Sequence, residues 1–497
     1  MTMNEFPMHP MHESALQHVC VRRKGVLAGL GMGLCLVVAG CAAPLPKLDS
    51  PLPAQWQHAS ASNAAKLTDL HGWWRTFADP ALDALVDRAL AGNLDLAQAR
   101  ERLLAVRALQ RRSHARYLPG LNARTRDAID PDASGSYFVA GFDASWELGL
   151  FGRAEGTRRQ AQASLDAGVA DWRATQVSLV SEVAREWIGL RTAQQQEQLL
   201  QKISQTRHHA WQLLQVRQRL QLASTETTDQ AQAAAAQADA ALTAPRQAIT
   251  ASAQRLAILL GQNHPDPAWL QPGAPPELGA FQLLGTPAEL LRTRPEIARA
   301  EAEVLRAAGE QALAHADLYP SIALGSSMVW ATDINNNHRY STTPNAIFSL
   351  GPVIDMPLFD WGMRVAAKHA KDHELQASVL AYRQAVLQGV AEVETALGDL
   401  QQQHRREQHS QQAWQALQRV DQSALARVKL QLASPLERTQ SQLAATQAAI
   451  DLSDARAAHS LAFVALFKAL GGAPLPDMGK TKAAASMPQR SAAGTAR

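Results

Sequence analysis

From Glu155 to Gln221 the chain carries no Pro, and Leu165, Val169, Trp172, Gln176, Leu179, Val183, Trp187 and Leu190 follow a nearly unbroken four-three spacing. That spacing is the seam of a coiled coil. At 1.5 Å per residue the 67 residues predict a rod about 100 Å long. Val365 to Gln431 has the same length and predicts a second rod. Glu226–Leu260 and Leu436–Leu470 predict helical arms of 35 residues each, about half a rod. Asp79–Tyr117 and Pro287–Leu318, of 39 and 32 residues, have the length to cover the other half. Each long helix is then flanked by two shorter ones stacked end to end.

Elsewhere the period falls from about 3.6 to two. Phe138, Ala140, Phe142, Ala144, Trp146 and Leu148 alternate with residues that include Asp143, Ser145 and Glu147. Ile322, Leu324, Met328 and Trp330 alternate with Ser321, Gly325 and Ser327, and Phe348 and Leu350 with Ser349 and Gly351. Leu121–Asp127 is a weaker strand with Asn122, Arg124 and Arg126 on its polar side. Two hairpins follow, at about 121–148 and 321–356, with strands of roughly ten residues, long enough to cross an outer membrane when tilted. Their lipid-facing side is predicted to carry Phe138, Phe142, Trp146, Ile322, Leu324, Met328, Phe348 and Leu350, with Phe142 and Leu324 near mid-membrane. Tyr137, Trp146 and Trp330 lie toward strand ends, where an interfacial belt would place aromatics. The competing reading is a soluble sheet with one buried face, but no amphipathic helix is left over to cover it. Four strands do not close a barrel, since the smallest membrane barrels have eight. Several chains must share one pore.

These elements occur twice. Phe151-Gly152 returns as Trp361-Gly362, Trp172-Arg173 as Tyr382-Arg383, Gln221-Leu222-Ala223-Ser224 as Gln431-Leu432-Ala433-Ser434, and Gly261 as Gly471, each 210 residues later. Upstream, Leu118-Pro119 matches Tyr319-Pro320 at a shift of 201, so the second copy holds nine extra residues, assigned to a longer outer loop at Ala331–Pro344. The first repeat spans 71–262 with a helical tip at about 221–225. A linker covers 263–285, and the second repeat spans 286–472 with its tip at about 431–435.

The termini change the cellular address. Arg22-Arg23-Lys24, the 15 apolar residues Gly25–Ala39 and then Val38-Ala39-Gly40-Cys41 read as a secretory signal, residues 1–40, ending at an acylated lipoprotein Cys41. Met8 and Met11 are alternative starts, and an ordinary signal peptide with a chance Cys is the blander reading. The apolar run is too short to span a bilayer as a helix, which excludes a helical transporter. Removing 1–40 discards Cys20 and Cys35, so disulfides and Cys-based metal sites are not expected. Residues 41–70, with Pro44, Pro46, Pro51 and Pro53, predict a lipid tether, and 473–497 a disordered tail. Lys+Arg 48 against Asp+Glu 45 implies no nucleic-acid partner, and 5% aromatic residues argue against large aromatic cores.

Trp73-Trp74-Arg75-Thr76-Phe77-Ala78-Asp79-Pro80, Arg294-Pro295-Glu296 with Ala300-Glu301-Ala302-Glu303, Leu318-Tyr319-Pro320-Ser321-Ile322, Leu358-Phe359-Asp360-Trp361-Gly362 and Phe467-Lys468-Ala469-Leu470-Gly471-Gly472 resemble the TolC family, in particular its lipoprotein branch. The resemblance runs from about Gly72 to Gly472. It implies a mainly α fold with a transmembrane β-barrel portion: a homotrimer whose long coiled-coil helices form an α-barrel in the periplasm below a 12-stranded barrel in the outer membrane of a Gram-negative bacterium. It also implies a periplasmic adaptor and an inner-membrane pump, usually of the RND class, as partners, with no cofactor and no enzymatic activity. The implied function is a passive export duct for small toxic compounds. Type I secretion is the alternative within the duct class, and a coiled-coil scaffold lipoprotein that forms no pore is the alternative outside it.

The resemblance further places a gate near the tips. Where the family often has Gly at the hairpin turn, this chain has Gln221 and Gln431, so the turn is expected one or two residues later, at Ala223-Ser224 and Ala433-Ser434-Pro435. Relatives commonly carry acidic residues six and nine positions past that Gly. Here those positions are Thr227 and Gln230 beside Asp229, and Glu437 and Gln440. Only Glu437 is acidic, which predicts a single ring of three carboxylates in a trimer. Arg438 would tie to an adjoining helix, and the plainer role for Glu437 is that of a helix-start residue. His369, His373 and Glu374 have metal-like spacing, but with Lys368, Lys371 and Asp372 interleaved they read as a solvated face. His208 and His209 diverge by about 100°. Gly29-Leu30-Gly31-Met32-Gly33 lies in the signal, and Gln194–Gln196 and Ala233–Ala236 read as helix faces, so no metal site is expected.

Overall fold

The computed structural model describes residues 44–48, 53, 56, 69–128, 137–281, 291–333 and 345–474. The signal, Cys41 and the tail from 475 lie outside the described residues, as does most of the Ala331–Pro344 loop. Twelve regular elements follow in order: α1 Pro80–Gly92, α2 Leu94–Ala115, β1 Gly120–Ala128, β2 Tyr137–Glu147, α3 Arg153–Arg219, α4 Thr225–Ala241, α5 Thr243–Leu259, α6 Pro295–Ala316, β3 Ser321–Asp333, β4 Asn345–Asp355, α7 Met363–Lys429 and α8 Pro435–Ala469. Short 3-10 turns at Trp73–Phe77 and Pro267–Leu270 complete the described secondary structure. The described residues divide into two compact units, one drawn from 44–47, 108–164 and 303–379, the other from 48–107, 165–302 and 380–474.

The first unit holds a four-stranded antiparallel sheet in the order β1-β2-β3-β4. Gly120 pairs with Ser145 in the first hairpin, and Ser321 with Asp355 in the second. Those pairs are equivalent under the two sequence shifts, so the hairpins share one register at this end, and the nine extra residues fall between Val329 and Ile347, where they lengthen the strands as well as the segment that joins them. In the same unit α3 and α6 meet at Gly156 and Gly309, where a Cβ on either would stand 2.8 Å from the other's carbonyl oxygen. Glycine is needed there because the backbones touch.

The second unit gathers the sparse aromatics into one core, contrary to what their low abundance suggests. Trp73 packs edge-on to Trp74 and stacks on Phe467 with centroids 5.7 Å apart, while Phe463 meets Trp73, Phe77 and Phe281. The Trp73 indole N–H donates to the carbonyl of Gly472 at 3.2 Å, tying the start of this unit to the end of α8. Asp79 caps α1 through the Ala81 N–H and also accepts from the Trp187 indole at 2.7 Å.

Two expectations change here. The first repeat's 35-residue arm is broken into α4 and α5 at Leu242, because Pro245 has no N–H to donate to Ala241 one turn back. The equivalent α8 has no such Pro and runs unbroken over 35 residues. The flanking helix of the first repeat is likewise split at Asn93, whose side chain accepts from the Leu96 N–H at 2.8 Å to start α2 and donates to the Leu259 carbonyl at 2.9 Å. The coiled-coil seam of α3 also widens. Val180, Ala184 and Ile188 are as buried as Leu179, Val183 and Trp187, because this stretch crosses the aromatic core and is covered on several sides.

Candidate functional site

Strand pairing alone decides which side chains share a face. Phe142 stands opposite Met328, Met328 opposite Phe348, Trp146 opposite Leu324, and Ala123 opposite Phe142. One face therefore carries Leu121, Phe138, Phe142, Trp146, Ile322, Leu324, Met328, Phe348 and Leu350. Phe142 also meets Trp330 edge-on at 6.0 Å. Phe138, Phe142, Trp146, Leu324, Met328, Phe348 and Leu350 remain between 38 and 66% exposed. The opposite face carries Asn122, Arg124, Asp143, Ser145, Ser327 and Ser349, with Val139, Val329 and Val353 among them. Arg124 pairs with Asp143 at 3.6 Å, and the Ser327 and Ser349 hydroxyls are 2.8 Å apart. A sheet with its large exposed apolar side chains on one side and most of its polar ones on the other suits a wall between lipid and water. The register corrects one depth: Leu324 lies across from Trp146 near the strand end, and Met328, across from the central Phe142, is the mid-strand residue.

The helical tips belong to the second unit and are built alike. Gln221 and Gln431 both take the left-handed conformation with φ 59°. The Leu222 N–H donates to the Arg217 carbonyl at 2.8 Å and the Gln221 N–H to Gln218 at 2.9 Å; Leu432 and Gln431 repeat this with Arg427 at 2.9 Å and Val428 at 3.0 Å. That is a Schellman closure with Gln in the place usually filled by Gly. The expected displacement of the turn therefore does not occur: the helix stop stays on the Gln, and Ser224 and Ser434 are the caps of the next helices. Each cap hydroxyl accepts a backbone N–H at 3.2 Å, from Thr227 and from Glu437. A side chain with a Cβ in the left-handed region costs about 1 kcal/mol or slightly more. Gln221→Gly and Gln431→Gly are each expected to raise stability by about that amount, read as an upward shift of the unfolding midpoint. A lowered midpoint would mean the Gln side chains contribute contacts that outweigh the strain.

Thr227, Gln230, Glu437 and Gln440 are all exposed in the first turns of α4 and α8. Thr227 returns its hydroxyl to the Ser224 carbonyl at 2.8 Å, and the Gln230 amide reaches Glu226 at 3.3 Å. Glu437 occupies the third position of α8, where a carboxylate also favours the helix start. Arg438 binds Asp421 of α7 in a two-bond fork at 3.3 and 3.4 Å, and the Ser441 hydroxyl donates to the same carboxylate at 3.2 Å. Sequence reasoning missed Asp421. The partner lies 17 residues back across the hairpin, and its equivalent in the first repeat is Trp211, so only the crossing of the helices reveals it.

His369 and His373 do not converge. His369 faces Asp372 at 3.6 Å and Glu374 is engaged by Lys371 at 2.6 Å, as a solvated face would have it. His208 instead reaches across to Asp239 at 2.9 Å; that carboxyl also accepts from Ser204 and is held below its usual range first by Ser204 and then by His208. Among the described residues, one group of three side chains presents metal-ligating atoms within 4.8 Å of one another: His404, Glu407 and His459. No described helix is long and apolar enough to cross a membrane.

The family model described as outer membrane efflux protein matches residues 85–262 and 286–472. The pyoverdine export outer membrane protein OpmQ of Pseudomonas aeruginosa is 30% identical, with 88% of this chain and 95% of that protein aligned. Outer membrane protein OprJ of the same species is 27% identical over 90% of this chain and 95% of its own. Among solved structures, the outer-membrane channel OprN is 26% identical with a TM-score of 0.74, covering 88% of this chain and all of that one. The open-state MtrE channel of Neisseria gonorrhoeae, at 24% identity, shares the fold with a TM-score of 0.75 over 87% of this chain and 98% of its own.

Proposed function

The chain belongs to the outer membrane efflux protein family, and from that premise we propose that three copies build one passive duct of a tripartite pump, carrying small compounds from the periplasm across the outer membrane. A periplasmic adaptor and an inner-membrane pump of the RND class supply the energy and the selection, and no bond of the cargo is broken.

The observation that carries the shared duct is a mismatch between the two repeats. Ala170 and Val177 of α3 are 2% and 5% exposed, whereas their equivalents on α7, Leu380 and Leu387, are larger and 62% and 56% exposed. Two Leu side chains of that size do not stay in water when the same positions of the sister repeat are buried. A neighbouring copy is the cover that the duplication supplies. The edge strands β1 and β4 are unpaired on their outer sides in the same way.

The tips form the narrow end of the duct in this reading, with Gln221, Ser224, Thr227, Gln230, Gln431, Ser434, Glu437, Arg438 and Gln440 around it. Three Glu437 carboxylates set there would favour cations, and the Arg438–Asp421 fork would hold α8 against α7 within each copy. The purified protein is expected to conduct in planar bilayers, with cation preference lowered by Glu437→Ala. No conductance would return the scaffold reading, and unchanged selectivity would leave Glu437 as a helix-start residue. Cys41 anchors the duct to lipid in the same proposal; a mature chain retaining residues before Cys41 would end that assignment.

A further inference from the structure

The internal duplication serves as a control for the group at His404, Glu407 and His459. Glu407 and Arg456 have equivalents in Glu197 and Arg246, and those two form an ion pair at 2.8 Å in the first repeat. In the second repeat the same pair has loosened to 3.6 Å. The other oxygen of Glu407 turns instead to Nδ1 of His459, 2.7 Å away. His459 stands where the first repeat has Ile249, and His404 where it has Gln194. Gln403, one turn before Glu407 on the same face of α7, replaces Ala193 and has a buried Oε1 with no hydrogen-bond partner. Two polar groups, Gln403 and His459, have thus been added around a shared carboxylate where the first repeat has Ala and Ile, and His404 stands in place of a Gln.

We propose that His404, Glu407 and His459 bind a divalent transition-metal ion of the zinc class, joining α7 to α8 in the second hairpin. Two imidazoles and one carboxylate suit Zn2+, Cu2+, Ni2+ or Co2+ and not the all-oxygen shells of Ca2+ or Mg2+. His404 and Glu407 are three residues apart on one helix and so point the same way. His459 comes from the facing helix, 52 residues from Glu407. The two rings are already gathered, with centroids 4.9 Å apart. The ion takes the place of the proton between His459 Nδ1 and Glu407, and that proton is carried on Nε2 instead. Arg456, 3.6 Å from the second Glu407 oxygen, orients that ligand from outside. Three protein ligands leave a position open for water or another small donor.

The test uses the full mature chain in detergent, without a polyhistidine tag, titrated with Zn2+ by calorimetry near pH 7.5. One ion per chain is expected, with affinity at least tenfold weaker in His404→Gln and in His459→Ile and unchanged in His369→Ala. Both informative variants install the residue that the first repeat carries at the same place, so the packing has a precedent, and His404 is exposed enough that its replacement leaves the core alone. A Zn2+-dependent rise in the melting temperature should accompany binding in the wild type and vanish in both variants. A wild type without saturable binding at one ion per chain overturns the proposal, and so does binding that both variants retain.

Discussion

Phe142→Arg and Met328→Arg are each expected to cost about 2 to 4 kcal/mol of folded-barrel stability, because they put a cation at the middle of the apolar strand face. The two side chains stand opposite each other across β2 and β3. Leu324→Arg, beside Trp146 at the strand end, should cost closer to 1 kcal/mol or less, since the penalty falls toward the interface. Ser327→Arg should be tolerated: Ser327 pairs with Asp143 on the polar face, so the new guanidinium would meet a carboxylate in water. Denaturant titration of the protein refolded into lipid vesicles reads all four changes. Equal losses at Met328 and Ser327 would mean that neither face is turned to lipid.

Arg124→Cys combined with Asp355→Cys is expected to yield a covalent trimer on mild oxidation. The duplication dictates the pair. Within one chain Ser145 of β2 faces Gly325 of β3. Carried forward by 210 residues, Ser145 becomes Asp355 of β4, and carried back by 201, Gly325 becomes Arg124 of β1. If the junction between copies repeats the junction between repeats, Asp355 of one copy faces Arg124 of the next on the polar side. In the native protein those two charges would then pair across the seam. A non-reducing gel should show dimer and trimer bands for the double variant and for neither single variant. Arg124→Cys with Ile354→Cys, one residue out of register and on the other face, should stay unlinked. Cross-linking that stops at dimers would rule out a closed ring of three.

Several features needed no tertiary information. The absence of Pro and the four-three spacing are local properties, and they set two helices of 67 residues 210 positions apart. The period-two alternation is local as well, because backbone geometry sends successive side chains to opposite sides of a strand whatever its neighbours are. Repetition also placed the extra residues of the second hairpin. Even the break at Leu242 has a local cause, the missing N–H of Pro245.

Pairing across elements was decided only by the fold. Which apolar residue lies at mid-strand depends on register: Leu324 and Met328 share one face, and only their partners Trp146 and Phe142 tell the end from the middle. The Gln at each tip could be read as a displaced turn, because the cost of a left-handed Gln is about 1 kcal/mol and the rest of the hairpin, closed by two backbone hydrogen bonds, outweighs it. Arg438 with Asp421, and His459 with Glu407, join residues 17 and 52 positions apart on facing helices. Sequence by itself determined the periods, the duplication and the family, since these are written in neighbouring residues and in their recurrence. Tertiary structure decided which side chains meet, because the rotation of one helix against another is set by packing along its whole length and by no single residue.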